Sequence, residues 1–288
     1  LTVEEYQKNL DGTRNSIIKT LKLFKKYNIH ATWATVGFLF CDDIDEIKQI
    51  TPINRPTYNN NKYNSYNLIE KIGNSEKDAP YHYASSLVFQ IDQTPYQEIA
   101  THTFSHYFCL EKGQTLKQFE VDLKAAIKLA EKKQLKLKSI VFPRNQFNND
   151  YITICEKLGI TNVRGNPIHY MYQPRKRDEE NQLIRFFRLL DTYINISGKQ
   201  IVEVSKIGKV VNIAASRFLR PYSTKLGMID FFKLRRIKDE MKTAAKEGKI
   251  YHLWWHPHNF GTHTEKNMLF LEEILKYFTH LNEKYNLF

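Results

Sequence analysis

The sequence predicts an α/β protein whose strands run parallel with helices packed outside them, as a doubly wound sheet or a barrel. Three observations predict it. Helix-period and strand-period segments alternate along most of the 288 residues. The strand segments are short runs of β-branched and aromatic residues. Polar residues, histidines among them, follow several of these runs directly, where parallel α/β folds carry their chemistry. At 42% hydrophobic and 13% aromatic, the chain can bury a sizeable core and is not a disordered one.

The elements follow in order. After Asp11-Gly12, Ile17, Leu21, Leu23 and Phe24 mark a helix ending near Tyr27-Asn28, and residues 29–40 (IHATWATVGFLF) read as a buried strand. Ile99 lies in the next strand. Residues 115–133 form a helix with Leu116, Phe119, Leu123, Ile127 and Ala130 on one face, followed by a strand over 138–143. A short helix over 149–158 leads to a strand over 160–164. The helix over 228–246 stops at Gly248 and precedes a strand over 250–255; residues 264–285 close the chain as a helix. The Asn-, Pro- and charge-rich segments 52–67 and 172–182 read as long surface loops. No repeat or linker interrupts residues 1–288, which are expected to form one domain.

Charge and cysteines narrow the class. The net charge of +12 favours anionic partners, such as acidic glycans, phospholipid headgroups or phosphate-linked sugars. The basic runs Arg175-Lys176-Arg177 and Lys233 to Lys238 are short and read as solvated charge. No zinc finger, RNP sequence or glycine-rich phosphate loop accompanies them, so no nucleic-acid partner is expected. Cys41, Cys109 and Cys155 are odd in number and widely spaced, without a disulfide framework. No run of about 18 apolar residues is present. With no signal-peptide pattern, the expectation is the cytoplasm or the cytoplasmic face of a membrane, although the chain begins with Leu rather than Met.

Three strand ends deliver the candidate site. The stretch EIATHTFSHY places His102 and His106 after the strand at Ile99. Pro143-Arg144-Asn145-Gln146 follows Val141-Phe142, and His256-Pro257-His258-Asn259 follows Trp254-Trp255. A helical turn would bring His102 and His106 to one face, and neutral imidazoles suit zinc and similar divalent ions. Two ligands are too few, so a carboxylate from elsewhere is required. Strand alternation sends Trp254 and Trp255 to opposite faces.

In this order, Ala31-Thr-Trp-Ala-Thr-Val-Gly37, Thr101-His-Thr-Phe-Ser-His106 and Leu253-Trp-Trp-His-Pro257 resemble the polysaccharide deacetylases, the NodB-homology enzymes of carbohydrate esterase family 4. The likeness spans roughly residues 13 to 260. It implies a distorted (β/α) barrel of about seven parallel strands and metal-dependent removal of N-acetyl or O-acetyl groups from a sugar. His102 and His106 correspond to metal ligands, for Zn or for Co, Ni or Mn. His256 corresponds to the general acid, and Arg144 to the arginine that orients the catalytic carboxylate, although its order relative to Pro143 is reversed. Asp191 corresponds to an acidic residue that tunes the acid. The backbone N–H near Tyr107 would stabilise an oxyanion; Trp255 and His258 would line the substrate.

The family opens with a strand ending in two acidic residues, the base and the third metal ligand. No such strand precedes the first helix here, and it is expected upstream of Leu1; Asp11 is the fallback. The implied substrate is a bacterial surface polysaccharide or its phosphate- or lipid-linked precursor, with peripheral membrane contact. Two alternatives stand beside this: a catalytically degenerate glycan-binding protein on the same fold, and a two-His-one-carboxylate iron oxygenase, which the helix–strand alternation disfavours.

Overall fold

The structure, a computed structural model, describes residues 3–173 and 181–287; the Arg175–Arg177 run lies outside them. The strands are β1 (Ala31–Thr35), β2 (Gln97–Thr101), β3 (Ser139–Ile140), β4 (Asn162–Val163), β5 (Ser205–Ile207), β6 (Val210–Asn212), β7 (Arg217–Phe218) and β8 (Leu253–Trp254). The helices are α1 (Val3–Lys26), α2 (Ile44–Ile50), α3 (Ser85–Asp92), α4 (Leu116–Lys132), α5 (Asn149–Lys157), α6 (Gln182–Leu190), α7 (Asp230–Glu247) and α8 (Thr264–Tyr285).

Six strands form one sheet in the order β1-β2-β3-β4-β6-β5, parallel throughout except for the β5–β6 hairpin. β7 and β8 form a second, parallel ladder. Seven strands therefore lie in parallel pairs, as the sequence predicts. The stretch after β6 joins the two ladders: Ala215 N–H donates to Gly165 O, and the amides of Ser216 and Arg217 donate to His252 O. Most strands are shorter than the hydrophobic runs that predict them.

Two apolar clusters share Trp33. One fills the space between β1–β4 and helices α2 to α5, around Phe119, Leu123, Ile140 and Ile152. The other joins α1, α7 and α8 around Phe24, Leu219, Ile237 and Leu271. Phe24 meets Trp33 edge-on at 6.1 Å and Trp255 at 6.2 Å, joining the two ladders from behind. Cys41, Cys109 and Cys155 are free and buried.

The basic run in α7 is not the solvated charge the sequence suggested. Lys233 is buried and pairs with Asp230 at 2.9 Å, and buried Arg236 pairs with Asp191 at 3.1 Å. Arg217 grips Glu240 with two bonds of 2.8 and 2.7 Å. Partners on the same helix and on the turn before β5 make this burial tolerable.

α1 starts well before the expected position and runs through Gly12. Its first half lies on the turn after β8. Tyr6 donates to Asn259, Asn9 donates to His258 O, and Gly12 faces Gly261 so closely that a Cβ on Gly12 would sit 1.9 Å from Gly261 O. Helix propensity alone favours Gly12→Ala by about 1 kcal/mol. The crossing reverses that sign: thermal unfolding is expected to show Gly12→Ala destabilised by about 1–3 kcal/mol, and a raised melting temperature would refute the close approach.

Candidate active site

The site begins where β2 ends. Residues 102–107 make an irregular loop, not the helical turn the spacing suggested, because Thr103 and His106 take left-handed backbone angles (φ 65° and 61°). Thr101 Oγ1 accepts from Thr103 N–H, and Thr103 Oγ1 accepts from Tyr107 N–H. Asp122, fully buried on α4, accepts from the amides of Phe104 and Ser105 and from the hydroxyls of Ser105 and Tyr66. The loop is thus fixed before any ligand arrives.

On it the rings of His102 and His106 stand 4.9 Å apart at 65°. His102 Nδ1 lies 2.6 Å from Val141 O. A carbonyl only accepts, so Nδ1 carries the hydrogen and Nε2 is left with its lone pair. Burial, then His106, holds His102 well below the usual imidazole range; burial and Arg144 bring His106 down to about 4. Both rings are neutral at pH 7, the form that ligates metal.

The third histidine comes from the end of β8. His256 stacks on His258 at 5.1 Å and 8°, and meets Trp254 edge-on at 5.4 Å. Although the residue is exposed at the rim, desolvation of its ring, His258, Arg164 and His106 lower its pKa below the usual imidazole range, and it acts in turn on His102. His102, His106 and His256 therefore share one electrostatic neighbourhood.

Two arginines flank them. Arg144 pairs with Glu111 at 3.1 Å and lies over Phe108 at 4.3 Å. Arg164, one residue past β4, lies over Trp254 at 4.2 Å and donates to Asn145 Oδ1 at 2.7 Å. Its Nε is buried without a hydrogen-bond partner, and among the described residues no carboxylate pairs with it. Burial lowers its pKa to about 10, and it acts on His102, His252 and His256. The sequence argument passed over Arg164 and Asp122. Their signals were an arginine ending a predicted strand and an aspartate beside the apolar face of a helix.

Other expected residues sit elsewhere. Asp191 bonds Tyr172, Ile196 N–H, Ser197, Arg217 and Arg236; none of these is a histidine. These partners outweigh burial and bring its carboxyl down to about 2. The Tyr107 amide is committed to Thr103, and Tyr107 is buried, so it offers no oxyanion donor. Trp255 stacks on Phe260 in the α1–α8 core, and Trp254 is the tryptophan on the site side. Asp11 lies on the exposed flank of α1, bonded to Tyr81 rather than at a strand end.

The donor set fits a divalent ion in chemistry but not in number. His102 and His106 would fill only two positions, and among the described residues no group of three or more His, Cys, Asp or Glu side chains is placed to hold a metal.

The fold is that of the polysaccharide deacetylases. A protein assigned to that class from Mycobacterium smegmatis superposes with a TM-score of 0.55 at 12% identity, over 93% of this chain and 72% of that one. A protein assigned likewise from Pseudomonas aeruginosa PAO1 gives 0.46 at 13%, over 96% and 76%. A CE4 family pseudoenzyme from Bacillus anthracis gives 0.36 at 9%, over 84% and 59%. No family model and no curated protein matches the chain.

Asp122→Asn keeps the side chain's shape but replaces acceptor oxygen with an NH2 donor. Chemical denaturation is expected to show a loss of about 2–4 kcal/mol; a loss under about 0.5 kcal/mol would mean that the loop holds itself.

Proposed function

We propose that this protein is a metal-dependent hydrolase that removes acetyl groups from a sugar. The observation that carries the reading is the convergence of His102, His106 and His256 at the ends of β2 and β8, with His102 held in the tautomer that presents Nε2. His102 and His106 would hold the ion, with Val141 O orienting the first imidazole. A divalent ion bound there supplies a water of lowered pKa and polarises the acetyl carbonyl.

His256, at the end of β8, would supply the proton that a leaving amine needs. A carboxylate brought against it would counter the desolvation and the Arg164 charge that depress its pKa. Arg164 suits the orienting of that carboxylate better than Arg144, whose charge already meets Glu111. Trp254 backs the guanidinium, and His258 backs His256.

Charge favours a phosphate- or lipid-linked intermediate of a bacterial surface polysaccharide as substrate. Acetate release from phosphate-linked sugars is expected to exceed that from neutral chitin oligomers. Equal rates would remove the argument from charge.

His102→Ala is expected to abolish both bound zinc, by elemental analysis, and acetate release. His256→Ala should keep the metal and lose about a hundredfold or more in kcat. Retained turnover in His102→Ala would refute the reading.

A second reading, a glycan-binding protein without catalysis, is favoured by the shortage of carboxylates at the imidazoles among the described residues. Oligosaccharide binding without acetate release at any added metal concentration would establish it.

A further inference from the structure

α6 is turned inside out. Leu183, Phe186 and Phe187, spaced i, i+3 and i+4, share one stripe and are 64%, 53% and 44% exposed. No residue of α6 is buried. Arg188 is turned toward the protein instead, its Nε donating to Met171 O at 2.6 Å and its guanidinium lying over Tyr172, while Arg185 is exposed. A surface helix ordinarily buries the apolar stripe and hydrates the charged one.

The exposed apolar surface continues past the helix. Ile194, in the following turn, is 62% exposed, and Phe232 on α7 is 52% exposed. Arg236 joins the two elements by donating to Ile194 O and to Asn195 Oδ1. Exposed Arg185 adds positive charge to the same helix, on the side away from the stripe. Arg185 and Arg188 act electrostatically on Arg220, whose Nε donates to Thr192 Oγ1 at 2.9 Å. α6 itself has no acidic residue.

A second copy docked by two-fold symmetry would set this arginine group against itself on a chain of net charge +12. An anionic bilayer instead places phosphates directly beside an apolar layer. We propose that α6 and the turn after it seat the protein on the surface of an anionic lipid bilayer. Leu183, Phe186 and Phe187 enter the headgroup–acyl boundary, and Arg185 and Arg220 meet headgroup phosphates. The contact lies on the membrane, since no helix among the described residues is long and apolar enough to cross one. It does not depend on the reaction proposed above, because vesicle partition is read without turnover.

The test is flotation with phosphatidylcholine vesicles, with and without about one quarter phosphatidylglycerol. The wild-type protein is expected to float with the anionic vesicles and to be released in part by salt. Leu183→Ser/Phe186→Ser/Phe187→Ser should weaken partition by about tenfold or more, while Arg185→Gln should weaken it only on the anionic vesicles. All four side chains are exposed, so unchanged thermal unfolding is expected of the variants. Three results would overturn the proposal. These are no flotation with anionic vesicles, undiminished flotation of the triple variant, or a dimer in sedimentation velocity that the triple variant splits while vesicles bind neither form.

Discussion

The buried carboxylate of Asp122 sets the shape of the candidate site. It gathers two amides and a hydroxyl of the loop after β2, together with the hydroxyl of Tyr66. Burial raises its pKa, and those four donors oppose the rise. Each bond to an ionised acceptor is worth about 1.5–3 kcal/mol, enough to hold two residues in left-handed angles that cost about 1–3 kcal/mol each. The two imidazoles stand on the loop after β2, but the group that positions that loop stands on helix α4. Packing of α4, with its Thr115–Gln118 capping box, therefore governs the angle between the imidazoles.

The two halves of the site are tied at different depths. At the rim, Arg164 from the end of β4 lies over Trp254 of β8, linking the six-stranded sheet to the short ladder by a cation–π contact. Behind the strands, Phe24 touches Trp33 and Trp255 and carries α1 into the same joint. β1 ladders with β2 alone and β8 with β7 alone among the described residues, so aromatic side chains do at this junction what strand pairing does elsewhere.

Long, regular elements were legible. The period in residues 264–285 and 115–133 gave α8 and α4 almost to the residue, and Gly248, left-handed at φ 63°, ends α7 as expected. The three histidines were legible because strand ends concentrate function. What escaped has physical reasons. α6 went unrecognised as a helix because its nine residues are mostly apolar or aromatic, with arginines between them and no clear stop, next to a charge-rich stretch read as loop. α1 was begun too late because Gly12 reads as a stop until a partner glycine 249 residues later is known. Trp254 and Trp255 could not be told apart, since alternation fixes that they differ but not which points inward. Asp122 and Arg164 act through tertiary neighbours that sequence spacing does not reveal.

The seat of α1 on the turn after β8 also bears on how the chain becomes a protein. The bonds from Tyr6, Asn9 and Ser16 to residues 257–259 span 241 to 253 positions of sequence. Once made, these residues of α1 therefore wait for about 240 further ones before their partners exist. At about 5–20 residues per second that delay is tens of seconds at the slower end, with Leu21 and Phe24 lacking their native cover. The turn that follows His256 consequently meets α1 only after that delay, and until then the apolar face of α1 is one that a chaperone would have to cover.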